Sequence, residues 1–146
     1  MTTFRHPRPG DELDWLAVDV HGHVGVFSTG GQGPVPRAVL DNLGKVEAAV
    51  RRVASLPVVG EVVDQPAGLG NFSFWIEPAR RGIYGFDWGP VSDGSFAQLT
   101  TPANPITIDA VVDPEVRDAA LLVRLPIAFE EARNLYVDAL GVPLVD

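Results

Sequence analysis

The chain has 146 residues, 46% hydrophobic and 21% charged, with a formal net charge of −8. That is the size of one domain able to bury its own core, with a globular rather than a disordered composition. The absence of cysteine excludes disulfides, thiolate nucleophiles and cysteine-ligated zinc or iron–sulfur centres from this chain. The acidity, with Arg and Lys scattered rather than clustered, argues against nucleic acid as a partner.

Residues 1–12 read as a flexible N-terminal arm, because Pro7, Pro9 and Gly10 interrupt regular structure. The arm lacks the apolar run of a secretory leader. No apolar run approaches the ~20 residues that span a bilayer. A cytoplasmic location and no membrane partner are therefore expected. Residues 13–146 read as a single α+β domain.

Asp14–Thr29 reads as a β-hairpin turning at His21-Gly22. Leu16, Val18 and Val20 share one face of its first strand; Trp15, Ala17 and Asp19 share the other. Gly30-Gly31-Gln32-Gly33-Pro34 breaks the sheet. A helix is expected from Pro36 to Ser55, since Val39, Leu43, Val46, Val50 and Val53 form one apolar stripe. Gly44 inside that helix points to close packing against a neighbour. Residues 57–70 are ambiguous, and Pro66, Gly68 and Gly70 favour a loop. A short helix capped by Asn71 follows, ending at Gly82.

Ile83–Trp88 and Ser95–Thr101 read as strands around a turn at Val91–Gly94. Ile106–Val112 and Leu121–Leu125 are further strand candidates, and Asp113-Pro114-Glu115 opens a helical turn. Ala128, Phe129, Ala132, Leu135, Tyr136, Ala139 and Leu140 mark a final helix, stopped by Gly141 and Pro143. The expected fold is α+β: an antiparallel or mixed sheet, an N-terminal hairpin, and two main helices packed on one face.

Few residues combine into recognisable chemistry. Asp19, His21 and His23 could converge on a divalent ion if the strand continued, but Gly22 makes this a turn, where alternation fails. The preferred reading is solvated turn residues and no metal site. Gly30-Gly31-x-Gly33 lies between a strand and a helix, where phosphates are cradled. Pro34 and Pro36 remove donors there, and no Lys-Ser/Thr follows, so a tight connection is the preferred reading. No serine stands in a nucleophile elbow. No catalytic residue and no cofactor are assigned.

The aromatic–acidic pairs are more informative. Asp14-Trp15 opens one strand, Asp87-Trp88 closes another, and Glu77 follows Trp75 closely. Tryptophan is enriched at binding hot spots, and an adjacent carboxylate suits a basic partner. Trp15, Asp19, Asp87 and Trp88 are the candidate partner-binding residues. The competing reading places the tryptophans in the core with acids at strand ends.

Two stretches carry a resemblance. Asp14-Trp15-Leu16-Ala17-Val18-Asp19 with Gly22, Val24, Phe27 and Gly30-Gly31-x-Gly33-Pro34-Val35-Pro36 resembles the opening of small bacterial proteins, mostly uncharacterised. Some of these look like immunity proteins of polymorphic toxin systems. Arg81-Gly82-Ile83-Tyr84-Gly85-Phe86-Asp87-Trp88 is similar to a second block of that group. The resemblance implies a small protein that binds and neutralises a cognate toxin, and it names no catalytic residue. Two readings therefore stand: a non-catalytic protein-binding domain whose partner is a basic toxin, or a small-molecule-binding domain or enzyme without a recognisable motif.

Overall fold

The computed structural model describes residues 4–64, 73–89 and 94–146. The hairpin forms as its β-rich runs and turn residues predict. β1 (Asp14–Val18) and β2 (Val24–Ser28) pair antiparallel, Asp14 opposite Ser28 and Val18 opposite Val24. Later strands are β3 (Val62–Asp64), β4 (Tyr84–Asp87), β5 (Phe96–Pro102) and β6 (Asn134–Leu135). They join one sheet in the order β1-β2-β4-β5-β3, with β6 also on β5. β2 and β4 run parallel, and the other pairings are antiparallel. The sheet is thus mixed, and the domain is α+β with an N-terminal hairpin.

Strand alternation divides the core into two faces. On one, Trp15 stacks on Phe27 at 4.3 Å and Phe27 on Phe86 at 4.7 Å. Phe96 and Phe129 meet this stack edge-on or tilted. Gly25 leaves the room: a Cβ there would lie 3.0 Å from the Phe129 ring. The other face presents Leu16, Val18, Val24 and Val26, all buried, to the helices. α1 (Arg37–Leu40), α2 (Leu43–Arg52), α3 (Ser73–Arg80) and α4 (Pro114–Leu121) follow in chain order. α2 and α4 pack on each other and on β1, and α2 and α3 both flank Val26. Among the described residues, no helix is long and apolar enough to cross a membrane.

Several local expectations give way to tertiary bonding. The helix expected over 36–55 breaks between α1 and α2, where Asn42 leaves the helical region and its amide donates to the Ala38 carbonyl. Its end tightens into a 3₁₀ turn at Val53–Ser55. Gly44 meets nothing within 4 Å, so it packs against no neighbour. Ile106–Val112 is not a strand. Ile106 and Ile108 donate their N–H groups to the Gly82 and Gly22 carbonyls, and Ile108–Ala110 is a 3₁₀ turn.

Leu121–Leu125 is likewise no regular strand. Val18 exchanges hydrogen bonds with Val123 and Leu125, an isolated bridge along the outer edge of β1. The final helix over 128–140 does not form. It is replaced by 3₁₀ turns at Phe129–Glu131 and Val137–Ala139, with β6 between them. The second main helix is α4, earlier in the chain. Gly82 does end α3, in the left-handed region at φ +84°. Asn71 and the turn at 91–93 lie outside the described residues.

Residues 4–12 contain neither helix nor strand, yet they are tied to the body. The Arg5 N–H donates to the Val145 carbonyl and the Gly10 N–H to the Gly31 carbonyl. His6 is buried, its Nε2 3.0 Å from Thr29 Oγ1. Arg8 pairs with Glu47 at 2.8 Å.

Candidate functional site

The register of the first three strands makes the site. Asp14 begins β1, Ser28 ends β2 and Asp87 ends β4, and Ser28 is the pairing partner of both. The three side chains therefore form one row across neighbouring strands, on the helix-bearing face. Glu12, two residues before Asp14 along extended chain, joins the row: the Ser28 hydroxyl donates to Glu12 Oε1 at 2.5 Å. A carboxylate-rich corner is thus built from the arm, both hairpin ends and β4.

Aromatic walls complete an open cleft of about 500 Å³. α3 contributes Phe74 and Trp75, β5 contributes Leu99, and Trp88 and Gly89 follow β4. Phe74 and Trp75 meet edge-to-face at 4.9 Å. The glycine turn seats Trp88. A Cβ on Gly33 would lie 2.8 Å from Trp88 Cγ, and one on Gly30 would lie 2.9 Å from the Trp88 carbonyl oxygen. The glycines thus permit close approach of an indole rather than a phosphate. Trp88 is further fixed by its N–H, donated to the Ser28 carbonyl, and by Phe4 and Phe96 edge-on to its ring.

The electrostatics of the corner are one-sided. Burial pushes the Asp14 carboxyl up to about 6; the Ser28 hydroxyl opposes the shift, and Glu12 and Asp87 add to it. Asp87 is raised too, chiefly by burial and then by Glu12. Asp14 Oδ1 is sealed from solvent without a hydrogen-bond partner among the described residues. Among those residues, no Arg, Lys or His forms an ion pair with Glu12, Asp14 or Asp87. The nearby Arg8 is taken by Glu47, and Arg80 and Arg81 by Glu77.

The residues singled out from sequence divide between this cleft and the interior. Asp87 and Trp88 line the cleft. Trp15 is fully buried, with its indole N–H donating to the Pro34 carbonyl at 3.1 Å. Asp19 is 5% exposed and organises the hairpin turn. Its Oδ1 accepts the N–H groups of His21 and His23, both at 2.9 Å, and its Oδ2 accepts that of Phe129 at 2.8 Å. Neither Trp15 nor Asp19 offers a surface to a partner.

His21 and His23 face Glu130 and Asp19 at 4.0 and 3.7 Å. No group of three or more His, Asp or Glu among the described residues is arranged to hold a metal ion.

Of the cleft residues, only Asp87 and Trp88 belong to the candidate set drawn from sequence; Glu12, Asp14, Ser28, Phe74 and Trp75 do not. Hairpin register pairs Ser28 with Asp14, and two-residue spacing places Glu12 beside Asp14, so these were accessible signals. The parallel β2–β4 pairing that adds Asp87 had none. The glycine turn and the residue after β4 touch here, through Trp88 on Gly30 and Gly33. No family model matches the chain, and no similar curated protein or solved structure is found.

Proposed function

We propose that this chain is a non-catalytic binding domain for a basic protein partner, and that the cleft receives a Lys or Arg side chain of that partner. The observation that carries the reading is the set of carboxyls, Glu12, Asp14 and Asp87, which lie beside Trp75 and Trp88 and form no ion pair among the described residues. A guanidinium or ammonium entering the cleft would meet carboxylates at one end and the Trp75 and Trp88 side chains along the walls. Such cation–π contacts contribute about 0.5–2 kcal/mol, more when desolvated. The net charge of −8 would speed encounter with a basic surface. The resemblance read in the sequence implies a cognate toxin as that partner, with the chain as its immunity protein.

The test is calorimetric titration of the purified chain against a basic toxin encoded beside its gene. A nanomolar complex is expected, weakened at least tenfold by Asp87→Asn and by Trp88→Ala, with melting temperatures recorded as a folding control. A full-affinity complex from folded forms of both variants would remove the cleft from the interface. Absence of any complex would remove the immunity reading.

A second reading, a small-molecule site with Asp14 as a proton donor, draws on the raised Asp14 carboxyl. A thermal-shift screen with amines, sugars and nucleotides separates it: a saturating ligand at about 100 times its Kd adds about 2.7 kcal/mol of stability.

A further inference from the structure

A second opening lies along the outer edge of β1 and shares no lining residue with the acidic cleft. It is an open groove of about 550 Å³ where three stretches of chain meet, residues 36–41, 122–126 and 140–143. Backbone bonding holds each stretch in place. Val18 exchanges hydrogen bonds with Val123 and Leu125, the Arg37 N–H donates to the Pro143 carbonyl, and the Val145 N–H donates to the Val35 carbonyl. Leu122, Pro126, Leu140 and Val142 supply apolar walls.

The polar groups of this groove are donors. Val123 and Leu125 are buried, so alternation along the extended edge turns Arg124 outward. Arg124 is exposed, and its guanidinium makes no ion pair or hydrogen bond among the described residues. Arg37, which begins α1, already holds one carboxylate, that of Asp146 at 2.6 Å. The backbone adds to the set. Leu140 lies near the right-handed region (φ −96°, ψ 2°) and Gly141 in the left-handed one (φ +76°). That succession turns consecutive N–H groups to one side, a geometry that binds anions. The Leu140 N–H goes to the Val137 carbonyl, whereas those of Gly141 and Val142 make no hydrogen bond among the described residues. Asp41 is the acid on the wall.

We propose that this groove binds a small organic acid, its carboxylate held by Arg124 and the Gly141 and Val142 N–H groups and its apolar body laid against the walls. Small-molecule sites usually have this form, an apolar concavity of roughly 300–1,000 Å³ with a few placed polar groups. A guanidinium and two N–H groups offer only protons, so they suit a group that only accepts. A single negative charge fits beside Asp41 better than the double charge of a phosphate. The site is independent of the acidic cleft, and neither reading needs the other.

The experiment titrates the intact chain with hexanoate and phenylbutyrate, and with the uncharged amide of each, followed by two-dimensional NMR. Either acid should shift the Gly141 and Val142 amide signals saturably and bind about tenfold more tightly than its amide. Arg124→Gln, at an exposed side chain without partners, should weaken the acid about fivefold at an unchanged melting temperature. Asp41→Asn should tighten it, because the acid on the wall repels the carboxylate. Equal binding of acid and amide overturns the proposal, as does parent affinity in folded Arg124→Gln. Saturable shifts that leave Gly141 and Val142 unmoved, or no saturation by either acid up to about 10 mM, likewise overturn it.

Discussion

The two ends of β1 each carry a buried or half-buried aspartate, and they are provisioned in opposite ways. Asp19, at the turn end, receives three backbone N–H groups, from His21, His23 and Phe129. Asp14, at the other end, has one serine hydroxyl within reach and two acids beside it. Burial is therefore a poor guide to function by itself. What separates a structural carboxylate from a functional candidate is the supply of donors around it.

Removing Asp19 is the severest way to probe that contrast. Asp19→Ala leaves three backbone N–H groups without their acceptor, and should destabilise the fold by about 3–5 kcal/mol. Chemical denaturation would measure the loss. A change under 1 kcal/mol would mean that solvent replaces the carboxylate and that the two ends are less different than the hydrogen bonding implies.

Asp14 should answer in the other direction. Its folded carboxyl titrates at about 6, above the ordinary 3.8, so the folded state binds more protons than the unfolded state between those values. Its contribution to stability is full at low pH and is lost as the pH rises through about 6. Asp14→Asn, which cannot ionise, should thus be more stable than the parent at pH 8, by on the order of 2 kcal/mol. The advantage should vanish near pH 3.5. Melting curves across that range would show the gap opening; a gap independent of pH would place the effect in packing rather than charge.

Gly33→Ala is the mildest probe. It leaves both aspartates alone and presses a methyl group toward Trp88 Cγ, 2.8 Å away. A loss of about 1–2 kcal/mol is expected, together with a changed near-ultraviolet circular dichroism signal as the indole shifts. An unchanged signal would show that the glycine turn does not set the cleft wall.

Much of this frame is legible in the sequence, for identifiable reasons. The hairpin follows from two β-rich runs around the His21-Gly22 turn, and Gly82 is read as a helix stop, where its left-handed φ of +84° suits glycine. The expected final helix fails because its backbone groups have other partners. Asp19 takes the Phe129 N–H, and the Gln98 amide donates to the Phe129 and Ala132 carbonyls. The Arg133 carbonyl accepts the Gln98 N–H, and Asn134 and Leu135 pair with β5. The apolar spacing from Ala128 to Leu140 serves a wrapped segment as well as a helix, and periodicity cannot tell them apart. At the site, Asp87 and Trp88 could be chosen from residue type, but Trp15 and Trp88 look equivalent in sequence. Only the tertiary packing buries the first and leaves the second lining the cleft.

The parallel pairing of β2 with β4 carries a consequence for the order of assembly. The hairpin can close locally, but Ser28 and Asp87 become neighbours only after residues 29–83 have been traversed and β4 has docked. Long-range closure of this kind comes late in folding. A nascent chain still short of β4 displays Asp14 and Ser28 without Asp87 or Trp88. The cleft is thus a signature of the folded molecule, absent from a chain in which β4 has yet to dock.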